Sequence, residues 1–296
     1  MMLRRLFLPL VFIAAPLTAQ HSTAAPSSAT AGTIVVAHGG SAEWNGYVLE
    51  IAKQARTGGP LEVAFLMGPD AATHRFQDQV AKLERAGVSR IVVVPLLVSS
   101  HSGHYEQIRY LAGATDSLDE MMHHHLHMAG IERPTSTLPL QVTRALDDAT
   151  ELARILADRA KAQAKDASAQ ALFLVGHGPN TAEEYADWMR NLRPVAAEVQ
   201  RLTGFKDVRV DLVRDDAPAL VRAEAVTRVR ELIAMQALIT GRDVVVVPVL
   251  ISRGRVSREK FMEDLKGLPV IYAGDPILPH PLVADWIATR VRETAR

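Results

Sequence analysis

The chain has 296 residues, and its 33 Lys and Arg balance 33 Asp and Glu, so the formal net charge is zero. The absence of a long basic run argues against nucleic acid and an anionic membrane surface as main partners. Cysteine is absent, which rules out disulfides and leaves His, carboxylate, Met or backbone atoms as the only metal ligands. A hydrophobic content of 48% with only 5% aromatics points to the aliphatic core of an α/β protein, and the length suits two domains.

The first residues, MMLRRLFLPLVFIAAPLTAQ, carry a positive Arg4-Arg5 pair, an apolar stretch from Leu6 to Leu17 and a small-residue site at Leu17-Thr18-Ala19. This is the pattern of a secretory signal peptide. The apolar stretch falls short of the roughly 20 residues that span a bilayer. The expectation is a signal peptide over 1–19 and a linker over 20–32. It implies a periplasmic or secreted product without a stable membrane anchor.

The remainder repeats itself. TIVVAHGGSAEWNGYVLEIAKQ returns as ALFLVGHGPNTAEEYADWMRNL, and SRIVVVPLLVSSHSGHYEQI returns as RDVVVVPVLISRGRVSREKF. The second match aligns Pro95 with Pro248 and Glu106 with Glu259. Each half adds a further strand and helix between its two matches, then closes on a helix (147–165 and 281–296). Alternating strands and helices predict parallel sheets with right-handed crossovers. The fold class is therefore α/β: two tandem similar domains, 33–166 and 167–296, each a small parallel sheet flanked by helices, with a cleft between them.

In open parallel sheets ligands bind beyond the carboxyl ends of the strands, and His38, His101, His104 and His177 all fall at such ends. His38 precedes Gly39 and Gly40, which permit close approach of a ligand or another backbone. His101 and His104 lie in a Ser/Gly-rich loop that opens a helix, at a spacing that projects to one side. One strand end and one loop can thus supply two or three imidazoles to a divalent ion. His suits Co²⁺, Ni²⁺, Fe²⁺ and Zn²⁺ comparably, so the ligands alone do not name the metal. Glu106 adds a carboxylate able to take a proton or orient an imidazole.

These motifs in this order (strand-HG-S, EVAFLMGP and VVVPLLVSS…GHY) resemble the sirohydrochlorin cobaltochelatase (CbiX/SirB) family in its long two-domain form. That family is part of the class II chelatases, which insert divalent metals into tetrapyrroles without ATP. The resemblance implies no nucleotide, a metal ion and a tetrapyrrole as partners, and His38 and His104 as the residues that bind metal and accept pyrrole protons. His101 stands where the family pattern has a small residue and is read as an added ligand. The function it implies is insertion of a divalent metal, Co²⁺ favoured, into a sirohydrochlorin-type ring. The alternative is an exported, non-catalytic metal carrier on the same scaffold. With imidazoles at their ordinary pKa near 6.5, activity is expected to fall below about pH 6.

The second half departs from the pattern: His177 matches His38, but Gly254 and Ser257 replace His101 and His104. A single metal centre in the first domain follows, with His177 as a candidate ligand contact and Arg253 and Arg255 read either as an ordinary solvated face or as partners of an anionic ligand's carboxylates. One tract has no counterpart in the second half: DSLDEMMHHHLHMAGIERP. His123, His124, His125 and His127 among three methionines read as a mobile loop, either merely biased in composition or a metal-capturing accessory with some taste for copper.

Overall fold

A computed structural model describes residues 30–294; the expected signal peptide lies outside the described residues. The first half runs β1 (Ala31–Ala37), α1 (Ala42–Gln54), β2 (Leu61–Phe65), α2 (Phe76–Arg85), β3 (Arg90–Leu96), α3 (Gly103–Leu111), α4 (Glu120–Met128), β4 (Leu140–Val142) and α5 (Thr150–Gln163). The second runs β5 (Ala171–Gly176), α6 (Ala182–Thr203), β6 (Asp207–Leu212), α7 (Ala219–Thr240) and β7 (Val244–Val249). A π-helical turn (Val256–Lys260) then continues into α8 (Phe261–Leu265), followed by β8 (Val270–Tyr272) and α9 (Leu282–Glu293).

Both sheets are four-stranded and parallel, with orders β2-β1-β3-β4 and β6-β5-β7-β8. The central strands are β-branched runs buried along their length, such as Val92–Val94 and Val244–Val247, as a sheet covered on both faces requires. Strand order reverses between β1 and β3, and again between β5 and β7. The crevice at such a reversal, beyond the carboxyl ends of the strands, is where an open α/β sheet binds ligands.

The edge strands β4 and β8 are three residues each, too short to leave a periodic signal, and the sequence reading passes over them. A larger difference concerns the closing helices. α5 packs on α6 and β7 of the second sheet, whereas α9 crosses back onto α1 and β3 of the first. Polar ties secure both crossings: Arg159 on α5 donates to the carbonyl oxygens of Pro276 (2.9 Å) and Ile277 (3.3 Å), and Arg90 Nη1 donates to the Thr294 carbonyl (2.8 Å). One continuous apolar core therefore includes residues of both sheets, from Ile34 and Val93 to Leu172 and Val245.

The His/Met tract is not a loop. Asp119 caps α4, its Oδ1 accepting from the Met121 and Met122 amides (3.0 and 3.3 Å), the N-terminal capping that stabilises a helix start. Leu126 and Ile131 are buried in the main core. The sequence disguises this because only one apolar side chain per turn is needed to seat a short helix, and the polar residues around it dominate the composition.

Trp286, on α9, is fully buried in the core that joins the halves. Trp286→Ala should cost about 3–5 kcal/mol in chemical denaturation of the full chain. A loss below about 1 kcal/mol would show that the crossed helix is only loosely docked.

Candidate metal centre

His38 is the first residue beyond β1, and its carbonyl accepts from the Met67 amide at 2.9 Å, so the β1–β2 ladder still holds its backbone. Gly39 follows at φ +92°, and a Cβ there would collide with the Met67 carbonyl oxygen; only glycine makes this turn without strain. Buried Asn45 fixes the rest of the turn. Its Oδ1 accepts from the Gly40 amide (2.8 Å) and its Nδ2 donates to Asp70 (2.8 Å). His38 Nδ1 lies 2.7 Å from the Gly39 carbonyl. An acceptor there places the proton on Nδ1 and leaves the Nε2 lone pair available.

His104 sits in the first turn of α3, which Ser102 caps by accepting from the Tyr105 amide at 3.3 Å. Its Nδ1 is 2.8 Å from Gln107 Oε1. The Gln107 amide nitrogen donates to the Met122 carbonyl on α4 at 2.7 Å, so its oxygen faces the imidazole and the Nδ1 proton is fixed again. The two rings meet edge to face, centroids 4.5 Å apart at 83°. Burial depresses the pKa of both. His38 lies below the ordinary histidine value, and His104 is pushed down to about 4, burial acting first and the His38 charge second. Near neutral pH these are two uncharged imidazoles with free Nε2 atoms, the form that binds metal.

His177 occupies the equivalent strand end of the second sheet and repeats the Nδ1 contact, 2.8 Å from the Gly178 carbonyl. Its Nε2, however, lies 3.1 Å from Asp216 and 3.9 Å from Asp215. Burial lowers its pKa, but the hydrogen bond and charge of Asp216, with the Gly178 carbonyl and Asp215, outweigh it and the net shift is upward. His177 thus holds its proton more tightly than an ordinary histidine, the reverse of His38 and His104. It acts electrostatically on both His38 and His104, so the three imidazoles share one cleft. Donor atoms of His177, Asp215 and Asp216 all lie within 4.8 Å of one another, yet Asp215 is already paired with Lys260 and with Arg222 (3.0 Å).

The other expected residues are placed elsewhere. His101 does not close into a three-donor set with His38 and His104. Its ring faces Asp187 on α6 (Nδ1 to Oδ2 3.5 Å) and its carbonyl accepts from Trp188 Nε1 (2.6 Å), which makes it a latch between the halves. Glu106 forms a forked pair with Arg109 at 3.0 and 3.1 Å. Both His101 and Glu106 line a cavity of about 610 Å³ beside the Ser100–Gly103 loop, whose wall also carries Asp119, Glu183, Glu184 and Asp187. Arg253 is paired with Asp275, and Arg255 is exposed. His123 packs edge-on against Tyr110, centroids 5.7 Å apart. His124 and His127 point to solvent.

Sequence reasoning missed Asp215, Asp216 and Gln107. The first two had a signal: consecutive aspartates just past β6, at the same sheet edge as His177. Gln107 had none, since an amide inside a helix is unremarkable until its partners are in place.

Two parallel sheets with swapped closing helices, and histidines at both switch points, make up a chelatase-like fold. Residues 32–163 match the family model CbiX. Among solved structures the chain is similar to SirB from Bacillus subtilis with Fe³⁺ (18% identity, 90% of this chain and 96% of that one, TM-score 0.58). It is also similar to the sirohydrochlorin chelatase SirB of Bacillus subtilis subspecies spizizenii in complex with cobalt (18%, 90% and 95%, 0.57). A third likeness is to CbiX, the terminal enzyme for biosynthesis of siroheme in denitrifying bacteria (13%, 88% and 98%, 0.51). No curated protein matches by sequence.

The opposite pKa shifts of these imidazoles are measurable. His104, with a native pKa near 4 against about 6.5 unfolded, binds fewer protons folded than unfolded in that window. Its contribution to stability is therefore complete above pH 6.5 and lost as pH falls towards 4. For His177, raised in the native state, the contribution is complete below 6.5 and lost as pH rises through its native pKa. Imidazole resonances followed by NMR should show His177 titrating above 6.5 and His104 unchanged down to about pH 5; the reverse order would contradict this assignment. Gln107→Ala, which frees the His104 ring, should weaken Co²⁺ affinity about 10–100-fold in calorimetry, and an unchanged affinity would remove the positioning role.

Proposed function

We propose that the protein inserts a divalent metal into a tetrapyrrole, Co²⁺ into a sirohydrochlorin-type ring being the favoured pair. The observation that carries this is the His38–His104 pair. Two neutral imidazoles at a strand-order switch present two Nε2 atoms and leave the remaining coordination positions of an ion open to pyrrole nitrogens. The CbiX match over 32–163 and the likeness to structures holding iron and cobalt support the same reading.

Insertion needs little covalent chemistry. The metal must be held weakly enough to leave, and two pyrrole protons must depart as it enters. The Nε2 atoms of His38 and His104 hold the ion and, once it has moved, take the protons and release them to water, because burial makes them weak bases. His177, anchored to Asp216, is the more basic imidazole at the site and, when protonated, can donate to a carboxylate of the ring. The acid edge of metal binding then lies well below the pH 6 of an ordinary histidine.

The second reading, an exported metal carrier, rests on a separate observation. The 610 Å³ cavity beside the Ser100–Gly103 loop is walled by Glu106, Asp119, Glu183, Glu184 and Asp187, which draws cations and repels a polycarboxylate ring. One assay separates the two: the absorbance change of Co²⁺ entering sirohydrochlorin, with and without protein. The chelatase reading predicts acceleration that His38→Ala or His104→Ala abolishes and that His177→Ala reduces much less. Tight Co²⁺ binding with no rate above background for Co²⁺, Fe²⁺ or Ni²⁺ would establish the carrier instead. Equal losses for His38→Ala and His177→Ala would mean that both halves share the work.

A further inference from the structure

α4 turns one stripe of its surface inward. Met122 lies against Gly103, where an added Cβ would come within 2.8 Å of its Sδ, and Leu126 enters the core. His125, three residues beyond Met122, shares that face. Its Nδ1 is buried and has no hydrogen-bond partner among the described residues. A buried imidazole nitrogen left in this way costs free energy unless something occupies its lone pair or proton. The other histidines of the tract differ: His123 is taken up by Tyr110, and His124 and His127 are exposed.

Beside His125 is a second cavity, about 380 Å³, lined by Met67, Gly68, Ala71, Ala72, His125, Met128 and Ala129. Its polar side chain is that one imidazole; its other donors are two thioethers, and no charged group contributes. The placement is firm on one side and loose on the other. Met67 is held by its amide bond to the His38 carbonyl, while Met128 is 71% exposed at the rim, free to swing over an arriving ion. Nitrogen with two thioether sulfurs in an uncharged wall suits a soft cation of low charge, and disfavours Mg²⁺, Ca²⁺ and Mn²⁺, which take oxygen ligands.

We propose that His125, Met67 and Met128 form a cuprous-ion site separate from the His38–His104 centre. The site draws on one histidine of the tract, not on its composition. It stands whether or not the protein acts on a tetrapyrrole, because its ligands are distinct from the pair assigned to insertion.

The test is an anaerobic Cu⁺ titration of the full chain against a chromophoric Cu⁺ chelator. Wild type should bind one Cu⁺ with this ligand set, and a His38→Ala/His104→Ala variant should bind it equally well. His125→Ala should weaken that binding at least tenfold, as should Met67→Leu with Met128→Leu, whose thermal melts check that the fold is intact. His123→Ala/His124→Ala/His127→Ala should leave it unchanged. Wild-type Cu⁺ affinity in His125→Ala, or its loss in the His123/His124/His127 variant or in His38→Ala/His104→Ala, would overturn the site. Neither result bears on the Co²⁺ insertion assay, so the two readings fail independently.

Discussion

Placing two imidazoles against the apolar carboxyl ends of β1 and β3 makes their charged forms costly, and the rest of the site follows from that constraint. Burial keeps His38 and His104 neutral, so neither repels an arriving cation and neither must lose a proton before binding it. Burial alone would leave the rings free to turn. The Gly39 carbonyl and the Gln107 amide remove that freedom and assign each Nδ1 its proton. The Gly39 turn holds the first acceptor in place, and α4, through the Met122 carbonyl, holds the second.

The two halves show how one backbone plan reaches opposite electrostatics. His38 and His177 occupy equivalent strand ends and make equivalent Nδ1 contacts, at 2.7 and 2.8 Å. What differs lies across from Nε2. His38 meets a second imidazole, whereas His177 meets Asp216 and, further off, Asp215. Where α3 carries His104, the second half has Ser257, which is buried, its hydroxyl spent on Gly254 (3.1 Å). The second domain thus sets a carboxylate-paired imidazole at its strand end, and the first sets two imidazoles kept neutral by burial. The exchanged helices α5 and α9 tie the two walls through a shared core, and Arg258 of the π turn adds a forked pair with Glu43 of α1, at 2.7 and 2.8 Å.

Much of this was legible before any coordinates. The β-branched runs ending in His-Gly located both switch points, and the internal repeat announced the paired sheets. What stayed hidden depended on contacts distant in sequence. His101 reads as a ligand from its spacing to His104, but Asp187 and Trp188, 86 and 87 residues on, turn it towards α6. α4 reads as a loop because two buried residues, Leu126 and Ile131, suffice to dock it. The exchange of α5 and α9 leaves no local trace at all, since either helix has an apolar face that would fit either sheet.

The most direct measurement of the central claim is anomalous diffraction from a Co²⁺-loaded crystal. The account predicts a cobalt peak within bonding distance of Nε2 of both His38 and His104. A peak at His177, Asp215 and Asp216 with none between His38 and His104 would contradict it.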